Sequence, residues 1–154
     1  MNERFLLETI RMADESIANG GGPFAALVVR RGEILGRGNN RVTLDNDPTA
    51  HAEIQAIRDA CSNLGDFQLD GCELYVNCEP CPMCLAAAYW ARLDVIFYAA
   101  SAADAAEAGF DDVLIRDELL HEPVERRLPM HQALRAQALV TFARWCELED
   151  KIPY

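Results

Sequence analysis

A chain of 154 residues with 14 Lys plus Arg against 25 Asp plus Glu carries a formal charge of −11. That length suits one domain with a sizeable core and no need of disulfides, and the acidic balance argues against a generic nucleic-acid binder, since phosphate contacts need clustered Lys and Arg. No stretch approaches the roughly 18 apolar residues of a membrane span, and Met1-Asn2-Glu3-Arg4 does not open a signal peptide. Six cysteines without a secretion signal fit a reducing cytoplasm.

Residues 3–19 put Phe5, Leu6, Ile10, Ala13 and Ile17 on one helical face and stop at Gly20-Gly21-Gly22-Pro23. No Lys-Ser/Thr follows those glycines, so they read as a loop and not as a phosphate cradle. Residues 24–30 are apolar and β-rich, and Arg31-Gly32 turns them into 33–38, a hairpin. Residues 39–48 are loop, dense in Asn, Asp and Thr. A helix capped by Thr49 runs to about Asn63 and stops before Gly65. A strand over 72–77, a helix over 82–91 that packs Leu85, Ala88 and Tyr89, and a second buried strand over 94–99 make a βαβ unit. The sheet is therefore at least partly parallel. Residues 101–109 are Ala-rich and helical, 110–120 hold another short helix, and 124–129 read as an edge strand. Residues 130–149 form a long amphipathic helix with Leu134, Ala138, Phe142 and Trp145 on one side, followed by a tail at 150–154.

Two stretches carry the chemistry: Thr49-Ala50-His51-Ala52-Glu53 and Cys78-Glu79-Pro80-Cys81-Pro82-Met83-Cys84. One imidazole and two thiolates are three good zinc ligands, and the fourth tetrahedral position is left for water. His51 and Glu53 diverge by about 200° around a helix, but they can converge at its first turn, where side chains tilt towards the N-terminus. Pro82 suits the first position of a helix, which makes Cys81 its N-cap and puts Cys84 three residues on. The helix dipole favours a thiolate there. A lone Cys-x-x-Cys would equally fit core thiols or a redox pair. His-x-Glu followed by Pro-Cys-x-x-Cys is the signature by which zinc-dependent nucleobase deaminases are recognised.

Cys78, Cys81 and Cys84 form a three-residue ladder, but an iron–sulfur cluster would need a fourth thiolate at position 88, which is Ala88. Cys78 stands as an alternative to Cys84; the Pro-Cys-x-x-Cys register favours Cys81 and Cys84. Cys61, Cys72 and Cys146 sit in apolar settings as core residues. His121 and His131 lie outside any ligand spacing.

With these motifs go Gly21-Gly22-Pro23-Phe24, Asn46-Asp47-Pro48, Tyr89-Trp90-Ala91-Arg92, Ala106-Glu107-Ala108-Gly109-Phe110-Asp111-Asp112 and the final Tyr154. On these residues the chain resembles the cytidine-deaminase-like superfamily and, within it, the small bacterial guanine deaminases. The resemblance implies a three-layer α/β/α fold with a five-stranded mixed sheet. It implies one zinc-dependent domain over 1–154 that deaminates guanine to xanthine and ammonia, with Zn2+ on His51, Cys81 and Cys84. Glu53 would be the proton-transfer carboxylate and Asp112 a second one. Phe24 and Asn40 would contact the base. Residues 130–154 would be exchanged across a homodimer, with Tyr154 in a lid. The plainer readings make Phe24 a core residue, Asn40 a turn residue and Asp112 a helix-end carboxylate. Two other functions stay in view: deamination of another base, including adenosine in transfer RNA, and a zinc-bound scaffold without catalysis.

Overall fold

The structure, a computed structural model, describes residues 1–153. Its elements in chain order are α1 (Glu3–Ala18), β1 (Ala25–Arg30), β2 (Glu33–Asn39), α2 (Val42–Asp45), α3 (Ala52–Leu64), β3 (Glu73–Cys78), α4 (Pro82–Trp90), β4 (Val95–Ala100), α5 (Ala102–Glu107), α6 (Val113–Glu118) and α7 (Arg135–Glu147). They fall into two compact units, Met1–Asp112 and Val113–Tyr154. Among the described residues no helix is long and apolar enough to cross a membrane.

The sheet of the first unit runs β2-β1-β3-β4, with β1 antiparallel to both β2 and β3, and β3 parallel to β4. The hairpin turns on Arg31 and Gly32, both at positive φ, the conformation that tight hairpin turns demand. Strand β1 is buried over Ala25–Val29, because alternate residues point to opposite faces and both faces are covered. Ala26 and Val28 join Leu74, Val76 and the helical Ala52, Ala56, Ala60 and Ala88 in one core cluster. Ala25, Leu27, Val29 and Tyr75 join Phe5, Met12 and Ala13 of α1 in another. Burying each such Val, Leu or Phe contributes roughly 1.5–3 kcal/mol.

One contact in this unit has no side chain between its partners. Gly36 and Gly38 share a face of β2, and α3 lies directly upon them. A Cβ at Gly36 would stand 2.6 Å from the Ala60 backbone nitrogen, and one at Gly38 would overlap the Ala52 carbonyl oxygen and the Ala56 nitrogen. Ala52, Ala56 and Ala60 recur every fourth residue, so the helix presents its own smallest stripe to the strand.

The structure corrects several expectations. The sheet has four strands among the described residues, not five: 124–129 forms turns and bends, bracketed by Pro123 and Pro129. Its arginines are tied locally, Arg126 donating to the His121 carbonyl and the Arg127 backbone N–H to the Glu118 carboxylate. Strand β4 is exposed at Val95 and Tyr98 because it is the sheet edge, with β3 as its one neighbour. Thr49 does not cap α3: its N–H and hydroxyl both donate to Asp47, and His51 takes the N-cap position. The buried face of α1 runs through Phe5, Thr9, Met12, Ala13 and Ser16, leaving Ile10 and Ile17 exposed. Of the expected α4 contacts Ala88 is buried, whereas Leu85 and Tyr89 are exposed. The last helix begins at Arg135 instead of 130, since Leu134 adopts the left-handed conformation that no continuous helix contains. Described by itself, α7 buries none of its residues, and Lys151 caps its end by donating to the Cys146 and Leu148 carbonyls.

The glycine contact makes a direct prediction. Gly38→Ala should destabilise the protein by about 1–3 kcal/mol, the usual range for overpacking a closed site. Denaturant unfolding of the two proteins measures it, and an unchanged midpoint would show that α3 is free to retreat.

Candidate metal centre

Two helix N-termini deliver the candidate ligands. His51 is the N-cap of α3 and Cys81 the N-cap of α4, both in extended conformation, and Pro82 begins α4 with its φ already suited to a helix. Cys84 lies one turn further in and is fully buried. His51 Nδ1 stands 3.5 Å from Cys81 Sγ and 3.5 Å from Cys84 Sγ. Two ligands at ordinary Zn–N and Zn–S lengths in a tetrahedron are separated by about 3.6 Å. The three side chains are thus already spaced for zinc. Among the described residues they are the one group of three such donors gathered this closely.

The electrostatics favour a cation. The hydrogen bond from the Cys84 thiol pulls Cys81 down to about 4, and His51 adds to the effect. Cys84 is correspondingly pushed up by that bond and by burial. His51 is raised, chiefly by its hydrogen bond to Cys81. A metal would bind the deprotonated forms of Cys84 and His51, so protons would compete for the site and affinity would fall as pH is lowered.

Glu53, on the first turn of α3, is 8% exposed. Burial pushes its carboxyl above the usual range, opposed in part by hydrogen bonds that include one from the Cys84 thiol. The His-x-Glu spacing thus brings the carboxylate to the ligand cluster, as the tilt of helix side chains leads one to expect. Cys78 is not in the cluster. It is buried, and its Sγ lies 3.6 Å from the Ser101 carbonyl.

Phe24 and Asn40 meet at a neighbouring corner, where the Asn40 N–H donates to the Phe24 carbonyl at 3.0 Å. The next residue, Arg41, donates its N–H to the carbonyl of Ala50, directly before His51. The Phe24 ring meets Phe110 edge-on, with centroids 4.9 Å apart. Asp112 is half-buried two residues beyond Phe110. Tyr154 lies outside the described residues. The glycine loop wraps Asn40: a Cβ at Gly21 would press on Ser16 and on the Asn40 carbonyl, and one at Gly22 would stand 2.9 Å from Asn40 Oδ1. These glycines let the loop close against Ser16 and Asn40.

Sequence reasoning passed over Asn77. Its Oδ1 accepts the Ala25 N–H at 2.8 Å and its Nδ2 donates to the Pro23 carbonyl at 2.9 Å. A polar residue near the end of the apolar run Leu74-Tyr75-Val76 was the available signal.

Comparison with known proteins agrees with this geometry. The model of the cytidine and deoxycytidylate deaminase zinc-binding region matches residues 1–100. A guanine deaminase from Bacillus subtilis is 49% identical over 154 residues, covering 99% of each chain. The X-ray structure of guanine deaminase from Bacillus subtilis superposes with a TM-score of 0.96 at 50% identity, covering 100% of this chain and 99% of the other. A tRNA-specific adenosine deaminase from Aquifex aeolicus is 42% identical over 98 residues, 64% of this chain and 65% of its own.

Metal analysis tests the ligand set. Cys81→Ala and Cys84→Ala should each lose zinc, while Cys78→Ala should retain about one zinc per chain. Zinc lost from Cys78→Ala alone would transfer the ligand role to that thiol.

Proposed function

The chain belongs to the cytidine and deoxycytidylate deaminase zinc-binding family, and from that premise we propose that it hydrolyses guanine to xanthine and ammonia. The observation that carries this reading is the 49% identity to a guanine deaminase across 99% of both chains. The tRNA deaminase from Aquifex aeolicus matches 64% of the chain. A net charge of −11 also suits a small neutral base better than a polyanion.

His51, Cys81 and Cys84 would hold the zinc. When bound, it supplies a Lewis acid that brings the pKa of water to about 7. Glu53, buried on the first turn of α3 beside the three ligands, is the carboxylate that would carry a proton from water to a ring nitrogen during hydrolysis at C2 of guanine. Burial raises its pKa above the usual carboxylate range, which favours its taking up a proton. Asp112 shares the second transfer, which lets the amino group leave as ammonia. Asn40 hydrogen-bonds the base, and Phe24 forms a wall of its pocket. The protein works in the cytoplasm as part of purine metabolism.

The two core clusters on opposite sides of β1 support a three-layer α/β/α arrangement. The apolar Leu139, Val140, Phe142 and Trp145 of α7 are exposed in the single chain, which supports a homodimer that buries them. In that dimer residues 130–154 are exchanged, and Tyr154 closes the partner's pocket.

Ammonia release from guanine, adenine, cytosine and their nucleosides tests the substrate directly. Guanine should be turned over fastest, at a rate nearly independent of salt. Zinc-loaded protein that leaves guanine untouched would overturn the assignment. Glu53→Gln should keep zinc and lose about 10²–10⁴-fold in kcat; normal turnover would remove Glu53 from the reaction.

Subunit mixing tests the exchanged tail. A chain truncated after Asp150 should bind zinc and lose most of its activity. Mixed with Glu53→Gln under conditions that exchange subunits, it should recover part, because one intact site then receives one intact tail. No recovery would argue that each tail serves its own chain.

A further inference from the structure

The guanine pocket proposed above has Phe24 as a wall, and the chain around Phe24 is held in an unusual way. Strands β1 and β3 pair through Ala26 and Val76, and the ladder stops there. Beyond it the next backbone donor on β1, the Ala25 N–H, is met by the side chain of Asn77 at 2.8 Å. The same amide donates its Nδ2 to the Pro23 carbonyl at 2.9 Å. The orientation of the amide follows from chemistry: an N–H needs the oxygen, and a carbonyl needs the nitrogen.

These two bonds bracket one residue. The peptide before Phe24 is held by its carbonyl, and the peptide after it by its N–H. A third bond, from the Asn40 N–H, holds the Phe24 carbonyl. With both flanking peptide planes fixed, φ and ψ of Phe24 have no freedom left. The direction of its ring against Phe110 is then set by backbone as well as by packing. Ala would supply neither bond, and Asp could accept but not donate.

We propose that Asn77 is a positioning residue for base recognition: it fixes the Phe24 wall and so sets affinity for the purine ring. This rests on the assignment of Phe24 to the guanine pocket. Both hydrogen bonds of the Asn77 amide go to backbone on either side of Phe24, so its influence falls on KM. Two hydrogen bonds that hold a wall in register account for about a tenfold change in KM, equal to about 1.4 kcal/mol.

The test is a double-mutant cycle on the zinc-loaded enzyme, with kcat and KM for guanine measured for wild type, Asn77→Ala, Phe24→Ala and the pair. Asn77→Ala should retain zinc and raise KM about tenfold while kcat changes less than about threefold. In the Phe24→Ala background the same substitution should leave KM almost unchanged, because the wall it positions is gone. An Asn77→Ala effect of equal size with and without Phe24, or one confined to kcat, overturns the proposal. Phe24→Ala with wild-type KM overturns the pocket assignment itself, a separate result. Should Asn77→Ala not fold, Asn77→Asp keeps the bond to Ala25 and places a carboxylate against the Pro23 carbonyl. It too should raise KM in a Phe24-dependent manner, and wild-type KM in that variant counts against the inference.

Discussion

The constraint on which the metal site depends is the bare contact of α3 with β2. At Gly36 and Gly38 the helix backbone rests on the strand with no side chain between them. Any larger residue would lift the helix, and the lift would be felt most at its first turn, where His51 and Glu53 stand. The opposing ligands come from a different piece of chain, the β3-α4 turn. Their position is fixed by the parallel pairing of β3 with β4 and by the N–H of Glu79 on the Ala100 carbonyl. Two short, stiff connections therefore meet at 3.5 Å. A site built on helix ends and strand ends keeps its ligands in place better than one built on loops.

That arrangement carries a local cost. N-cap positions favour Ser, Thr, Asp or Asn, whose side chains satisfy the free N–H groups of the first turn, and losing such a cap costs about 1 kcal/mol. His51 makes no such bond, because its ring is committed to the thiols. Thr49, the better capping residue by type, is occupied with Asp47 in the turn before. Its role is to shape the approach to His51, and the polar loop before α3 gives up capping strength for ligand direction.

Much of this was legible in the residues. The His-x-Glu and Pro-Cys-x-x-Cys spacings pointed to His51, Cys81 and Cys84, which the fold gathers into one cluster, because chelation requires particular residue types at particular separations. The hairpin was readable from Arg31-Gly32, and the end of α3 from Gly65, which takes the left-handed C-cap conformation. What escaped depends on partners that local sequence does not reveal. The buried face of α1 includes Thr9 and Ser16 because Thr9 returns its hydroxyl to Leu6 and Ser16 meets the Asn40 carbonyl, so hydropathy put Ile10 and Ile17 there in error. Strand β4 reads as buried from composition, yet its burial is decided by its place at the sheet edge. The clamp at Asn77 needs the register of two strands before it has meaning. The edge strand read at 124–129 gave way to turns and bends, with Arg126 donating to the His121 carbonyl and the Arg127 N–H to Glu118.

Metal and fold are coupled by what the site contains when no cation balances it. Burial raises the Glu53 carboxyl, the bond from the Cys84 thiol lowers Cys81, and Cys84 hydrogen-bonds with both of them. Three groups that are anionic when deprotonated, gathered beside one imidazole, repel one another, and burial denies them water. The chain can relieve that only by keeping protons on some of them. A divalent cation would relieve it by letting the thiolates form. The binding free energy of the metal thus becomes stability of the folded chain. Packing α3 against bare glycine fixes how close the helix lies to the sheet, and with it where His51 and Glu53 stand at its first turn.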